Sequence, residues 1–365
     1  MNRPNPFFSR SRPWALPASI ILGLTLVFIL LLALHPATSS ATQPVQVGLI
    51  VDEAGLNDMG FNWLAYQGLL RAESELGAVG TVYTSTGTIS PGQNVQQCVD
   101  DGNALCIGTG FLAREAISVA AKMSPGTLFA ILDITYPSYP DNLRGTTFAA
   151  DQAGYLAGTL AGLMSESGVV GAVGGMEIPP VAAFAEPYRY GSQCARPDVT
   201  AIVTYTGSFV QPLLGAQVAQ AQMAQGADVI FGVGAATGNG AVLTAAQSGA
   251  WAIGVDVDQY LTLFEGGTVT GSEKLLSSAM KRLDSAVYDT IADVGAGTFT
   301  SGTVLYDLAQ DGVGLAPFHE ADGAVPTAVR EELDRIRQGI ISGTIDVNAP
   351  CTGHTIFLPV ALRNG

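Results

Sequence analysis

The chain has 365 residues, 48% of them apolar and only 13% charged, with a mean hydropathy of +0.32. Disorder, which needs low hydrophobicity and high charge, is excluded, and the length allows two lobes of ordinary domain size. A formal net charge of −15, from 16 basic against 31 acidic residues, argues against nucleic acid or an anionic membrane surface as partner, since both demand clustered Lys and Arg.

Residues 1–41 carry Arg3, Arg10 and Arg12 ahead of a 21-residue uncharged stretch from Trp14 to Leu34, and end in Ser39-Ser40-Ala41. A basic start, an apolar middle and a small-x-small site predict an export signal cleaved after Ala41; the stretch is also long enough to remain as an uncleaved anchor. The expected location is extracytoplasmic. The first Cys is Cys98, so no cysteine stands close behind the apolar stretch to carry a lipid. After residue 41 the balance is 13 basic to 31 acidic residues, a net of −18, and only Lys122, Lys274 and Lys281 are lysines.

From Val45, VQVGLIV (45–51) predicts a strand, and FNWLAYQGLLRAESELG (61–77), with Phe61, Leu64, Ala65, Leu69, Ala72 and Leu76 at helical spacing, predicts a helix. The alternation continues through TVYT and PGQNVQQCVDDG, ALCIGTG and FLAREAISVAAKM, TLFAILD, then NLRGTTFAA and DQAGYLAGTLAGLMSE. It runs on through GVVGAVGG, VAAFAEPYRYGSQCA, TAIVTYT, LLGAQVAQAQMAQG, DVIFGVG and NGAVLTAAQSG to WAIGVD, which ends at Asp256. Strands alternating with helices predict an α/β fold with parallel sheets covered on both faces. About six such units exceed one compact domain, so two doubly wound parallel-sheet lobes joined by hinge crossings are expected. TFAADQ (147–152) marks the first crossing. Lobe 1 is predicted over 45–147 plus about 259–298, and lobe 2 over 148–258 plus about 299–345. In this scheme SEKLLSSAMKRLDSAVYDTIADVG (272–295) is one long helix returning to one lobe, GTVLYDL and VREELDRIRQGIISG finish the other, and 346–365 is a tail.

The cysteines are Cys98, Cys106, Cys194 and Cys351, with no CxxC among them. Export permits disulfides, and chain proximity favours Cys98 with Cys106 and Cys194 with Cys351; buried free thiols are the alternative.

Asp52 follows VGLIV, Asp133 follows LFAIL, and Asp256 and Asp258 follow WAIGV. Ligands bind open parallel sheets at strand carboxyl ends. Any one Asp there can be a helix or turn cap; three apolar strands ending in Asp in so uncharged a chain favour a shared cleft. Nucleophilic and metal catalysis lack their signatures: His35, His319 and His354 lie in the signal, late loops and tail, and there is no HExxH, Cys/His metal spacing or GxSxG. No cofactor and no metal is expected. The enzyme alternative uses the aspartates as general acid and base, or to hold Ca²⁺, in nucleoside hydrolysis. FGVGAATGNG (231–240) lies between a strand and a helix, but its GxGxxxG spacing and late position disfavour dinucleotide binding. Its glycines, Gly234 among them, suit a close approach of backbone to a ligand.

DEAGLNDMGFNWLAYQGL (52–69), GTGFLAREAISVAAKMSPGTLFAILD (108–133), TFAADQAGYLAGTLAGLM (147–164), GAVGGMEIPPV (171–181), GVGAATGNG (232–240), IGVDVDQ (253–259) and LLSSAMKRLDSAVYDTI (275–291) resemble, in order, the basic membrane protein family. These are substrate-binding proteins of ABC importers, the purine nucleoside receptors among them, and the resemblance spans roughly residues 45 to 345. It implies a monomeric type I periplasmic binding fold that closes on a nucleoside and docks on an ABC permease, with no chemistry on the ligand. Another polar ring compound is the alternative ligand. Phe61 and Phe209 stand where the family's rings hold the base. Asp256 and Lys281 fall where an acid and a lysine hold the ribose, and Asp52, Asn57, Asp58, Asn62 and Asp133 fall along the cleft. Taken singly, Phe61 also fits an apolar helical stripe, and Lys281 reads as a snorkelling lysine on a helix with core positions Leu276, Met280, Leu283 and Val287. Asp258 and Gln259 are expected to anchor a turn at the crossing between lobes. Gln211, where many members carry an acid, departs from the family pattern, as do the missing lipid-bearing cysteine, the four cysteines and the tail.

Overall fold

Most inner strands are runs of five to seven residues, rich in valine, isoleucine, leucine and alanine and buried almost throughout, as strands covered on both faces should be, whereas the edge runs Val79–Thr84 and Gly302–Tyr306 alternate in exposure. In the computed structural model, which describes residues 43–350, the strands are β1 (Gln46–Val51), β2 (Val79–Thr84), β3 (Leu105–Thr109), β4 (Leu128–Leu132), β5 (Leu143–Phe148) and β6 (Val169–Gly174). They continue as β7 (Thr200–Tyr205), β8 (Val229–Val233), β9 (Trp251–Asp256), β10 (Leu275–Lys281), β11 (Gly302–Tyr306) and β12 (Val313–Leu315). The α-helices are α1 (Phe61–Leu76), α2 (Pro91–Asp100), α3 (Gly110–Met123), α4 (Ala150–Met164) and α5 (Pro179–Ala195). After them come α6 (Pro212–Ala224), α7 (Ala235–Gln247), α8 (Leu283–Ala296) and α9 (Thr327–Ile341).

Among the described residues two six-stranded sheets result, ordered β11-β5-β4-β3-β1-β2 and β12-β10-β9-β8-β6-β7. Every pairing is parallel except β10 with β12. The two orders correspond strand for strand, so β1 matches β6, β3 matches β8 and β4 matches β9. The α/β, two-lobe expectation holds.

Two predicted segments change places. Residues 272–295 are not one helix: Leu275–Lys281 is β10, inside the second sheet, and α8 begins only at Leu283. GTVLYDL supplies β11 to the first sheet rather than to the second. Both runs are short and apolar, so periodicity alone does not separate strand from helix or assign a sheet, and pairing with β9, β12 and β5 decides. Backbone therefore passes between lobes at Ala149, at Arg282 and at Asp307. The passages are tied side by side: Ala149 N–H donates to Tyr306 O at 2.9 Å and Arg282 N–H to Gly312 O at 3.0 Å.

Close helix packing stiffens each lobe. Gly154, Gly158 and Gly162, spaced to share one face of α4, press on the main chain of α5. A Cβ on Gly158 would lie 1.9 Å from Tyr188 O, and one on Gly154 would lie 2.4 Å from Phe184 O, so only glycine permits this contact. In the first lobe Gly68 of α1 meets Asp284 O of α8 in the same way, at 2.4 Å from its would-be Cβ.

Cys98 and Cys106 form a disulfide joining the end of α2 to β3, with Cα atoms 6.2 Å apart. Cys194 ends up buried near the close of α5, and its expected partner, Cys351, lies outside the described residues. The predicted export signal and the tail beyond residue 350 lie outside them as well. Among the described residues no helix is long and apolar enough to cross a membrane.

Candidate functional site

Where the strand carboxyl ends of the two sheets face each other lies a cleft that is partly open to solvent. Asp52, Asp58, Phe61, Asn62, Asp133, Phe209, Gly234, Asp256 and Lys281 all line it. Asn57 does not; it stands exposed on the single turn Gly55–Asp58.

Matching strands deliver matching acids. Asp133 follows β4 and Asp256 ends β9, and both adopt left-handed backbone, with φ of +62° and +65°. Aspartate and asparagine tolerate that conformation better than most residues. Asp133 is engaged: Lys281 Nζ, at the end of β10, donates to its Oδ2 at 2.5 Å across the lobes. An amine that is 2% exposed requires such a partner. The ammonium also lies 4.6 Å from the Phe184 ring centroid and 5.9 Å from that of Phe61. The sequence predicts Lys281 on a helix; in the structure it ends strand β10, where its ammonium meets Asp133.

Asp256 is different. Burial pushes its carboxyl up to about 7, opposed by the Lys281 charge and reinforced by Asp133 and Asp58. It accepts no hydrogen bond from the described residues. Asp58 is pushed up to about 6 by burial, although Gly60, Asn62 and Trp63 N–H groups donate to it at 2.8 to 3.0 Å. That carboxylate caps the first turn of α1, so a capping role and a place in the cleft wall coexist. Asp52, raised mainly by burial, accepts from Asn62 Nδ2 at 2.7 Å, and Asn62 Oδ1 accepts from Thr109 Oγ1 at 2.8 Å. Asn62 is thereby fixed by β1 and β3.

Each phenyl ring rests on a glycine of its own lobe. A Cβ on Gly110, after β3, would come 3.3 Å from the Phe61 ring; one on Gly175, after β6, would come 2.5 Å from the Phe209 ring. Gly234, at φ +158°, leaves no room for a Cβ, which would lie 2.5 Å from Gly175 N.

The remaining lining residues were not singled out from sequence: Gly110, Phe111 and Leu112 after β3, Ile178, Pro180, Val181 and Phe184 around the start of α5, and Val233 and Ala235 beside Gly234. The strand-end rule that found the aspartates also points to Gly110–Leu112. Phe184 gave no such signal, being a 1%-exposed aromatic on an apolar helix face. The turn expected at a lobe crossing lies elsewhere: Asp258 and Gln259 stay within the second lobe, between β9 and β10. Asp258 Oδ2 pairs with His319 Nε2 at 2.7 Å. Among the described residues no group of three or more His, Cys, Asp or Glu is arranged to hold a metal ion.

Comparison with known proteins gives concordant matches. A family described as "Bmp: ABC transporter substrate-binding protein PnrA-like" matches residues 45–350. The CD4+ T-cell-stimulating antigen of Listeria monocytogenes is 30% identical over 82% of this chain and 87% of its own length. The ABC transporter nucleoside-binding protein BmpA of Lactococcus lactis is 29% identical over 83% of this chain and 89% of its own. Among solved structures, an ABC transporter solute-binding protein from Aeropyrum pernix superposes with a TM-score of 0.73 at 28% identity, covering 83% of this chain and 93% of that one.

Proposed function

The chain belongs to the Bmp family of PnrA-like ABC transporter substrate-binding proteins, and from that premise we propose that its solute is a nucleoside, a purine nucleoside above all, bound in the cleft and handed to a membrane permease. Proteins of this family bind a solute and do no chemistry on it, so nucleoside hydrolysis by the aspartates is set aside.

One arrangement carries the proposal. Two phenyl rings from opposite lobes, Phe61 and Phe209, share a cleft with a buried carboxyl that has no hydrogen-bond partner among the described residues, Asp256. A flat heteroaromatic base presents two faces to aromatic rings, while ribose presents vicinal hydroxyls that both donate and accept. Asp256, poised near neutrality, meets either role. The Lys281–Asp133 pair beside it supplies a further donor and acceptor. Phosphorylated ligands fit poorly, because four acids line the cleft against one lysine. The nucleoside named for the Lactococcus relative points the same way. Closure of two hinged lobes around the ligand, followed by docking of the closed form, is the delivery mechanism.

Mass spectrometry of the small molecule carried through purification, followed by calorimetry with inosine, guanosine, adenosine and uridine, tests this. A co-purifying purine nucleoside with micromolar or tighter affinity is expected. A carried amino acid, sugar or peptide, with no heat from any nucleoside, overturns it.

A further inference from the structure

Two successive backbone carbonyls of the first lobe are held by side chains of the second. Asn239 Nδ2, on α7, donates to Asp58 O at 2.7 Å in a buried contact, and Thr262 Oγ1, on the loop after β9, donates to Met59 O at 3.2 Å. Asp58 and Met59 immediately precede α1, whose first residues Phe61 and Asn62 line the cleft. Met59 adopts a left-handed φ of +51°, which fixes the two carbonyls in a tight turn.

The donors are themselves braced. Gln259 Nε2 donates to Asn239 Oδ1 at 2.8 Å, Gln259 N–H donates to Ser278 Oγ at 3.1 Å, and the loop is pinned where Asp258 meets His319 and Tyr260 stacks on the same imidazole at 4.1 Å. The polarity of this relay is imposed from the other lobe. A carbonyl only accepts, so Asn239 must offer Asp58 its amide nitrogen and turn its oxygen to Gln259. Gln259 then spends its nitrogen on Asn239, which leaves Gln259 Oε1 buried with no donor among the described residues. An orphaned buried acceptor is unfavourable. Once the lobes part, Asn239 Nδ2 loses Asp58 O, and with it the contact that holds the relay in this polarity.

We propose that Asn239 and Thr262 are positioning residues that latch the lobes shut, gripping the Asp58–Met59 turn and with it the first turn of α1, while the orphaned Gln259 oxygen keeps the latch reversible. The inference rests on the binding-protein reading and not on which solute is bound.

Single-molecule fluorescence tests it, with dyes on Ile89→Cys and Leu213→Cys, rim positions that are 43% and 71% exposed after the matching edge strands β2 and β7. The double variant Asn239→Ala, Thr262→Val is expected to shorten the dwell in the closed state about tenfold while leaving the closing rate unchanged, the loss expected of two hydrogen bonds. Asn239→Asp keeps the shape but removes the donor, and should do the same. Where a variant at Asn239 fails to fold, Thr262→Val alone carries the test, at about threefold. Unchanged closed dwell in folded variants, or a wild type that never visits the closed state, overturns the latch. Guanosine separates the two readings. If it lengthens the closed dwell of neither protein yet the variant still opens faster, the nucleoside reading falls and the latch stands.

Discussion

Replacing Asp256 by asparagine isolates the electrostatic character of the cleft. Asparagine tolerates the left-handed φ of +65° and matches the neutral carboxyl in shape, so the change removes an ionisable proton and little else. The folded chain holds the Asp256 proton up to about 7, against an ordinary value of 3.8. Between those values the folded state binds more protons than the unfolded state, so this residue makes stability fall as pH rises, and the loss is complete above about pH 7. The whole interval is about three units, or about 4 kcal/mol. Asp256→Asn should therefore match the wild type in urea unfolding near pH 4, gain on it steadily, and stand about 2 to 4 kcal/mol more stable at pH 8, in ligand-free protein. Its nucleoside affinity should fall by about 1.5 to 3 kcal/mol in calorimetry at pH 8, the scale for losing a charged hydrogen-bond partner. A stability gap that does not change with pH, or a variant less stable at pH 8, would refute the premise that burial holds this carboxyl protonated.

Other substitutions probe neighbouring features. Lys281→Met should lower urea stability by about 3 to 5 kcal/mol at pH 8, since it strands Asp133 in the interior; adding Asp133→Asn, which tolerates the left-handed φ of +62°, should recover part of the loss, and simple additivity would count against a coupled pair. Phe209→Ala should weaken guanosine binding by about 1 to 3 kcal/mol with the thermal midpoint nearly unmoved, and a collapse in stability instead would mark the ring as core. Gly158→Ala, forced against Tyr188 O with nowhere to shift, should cost about 3 kcal/mol or more by chemical denaturation, and a near-neutral result would contradict the α4–α5 packing.

Much of the architecture was legible because strand and helix patterns alternate cleanly from Val45 to Asp256, and because a parallel sheet concentrates its polar residues at strand ends. That is why the sequence alone points Asp133 and Asp256 to one cleft. Leu275–Lys281 was not legible as a strand. Leucine, alanine, methionine and lysine favour helices locally, and what makes the segment an interior strand is distant: β9 and β12 on either side, and Ser277 Oγ donating to Ala316 O at 2.7 Å. The same local preference makes Lys281 look helical and conceals its bond to Asp133. Phe184 carries no sequence signal for a related reason, because only the fold brings an apolar helix face against a lysine from another element.

The three adjacent backbone passages at Ala149, Arg282 and Asp307 behave like the knuckles of a door hinge, cross-linked at Tyr306 O and Gly312 O. Such a joint swings about one axis but resists sliding and twisting, so each opening returns the two walls to the same alignment. Under the proposed function, the angle at which the walls come to rest on a solute is then the one feature a permease would have to recognise.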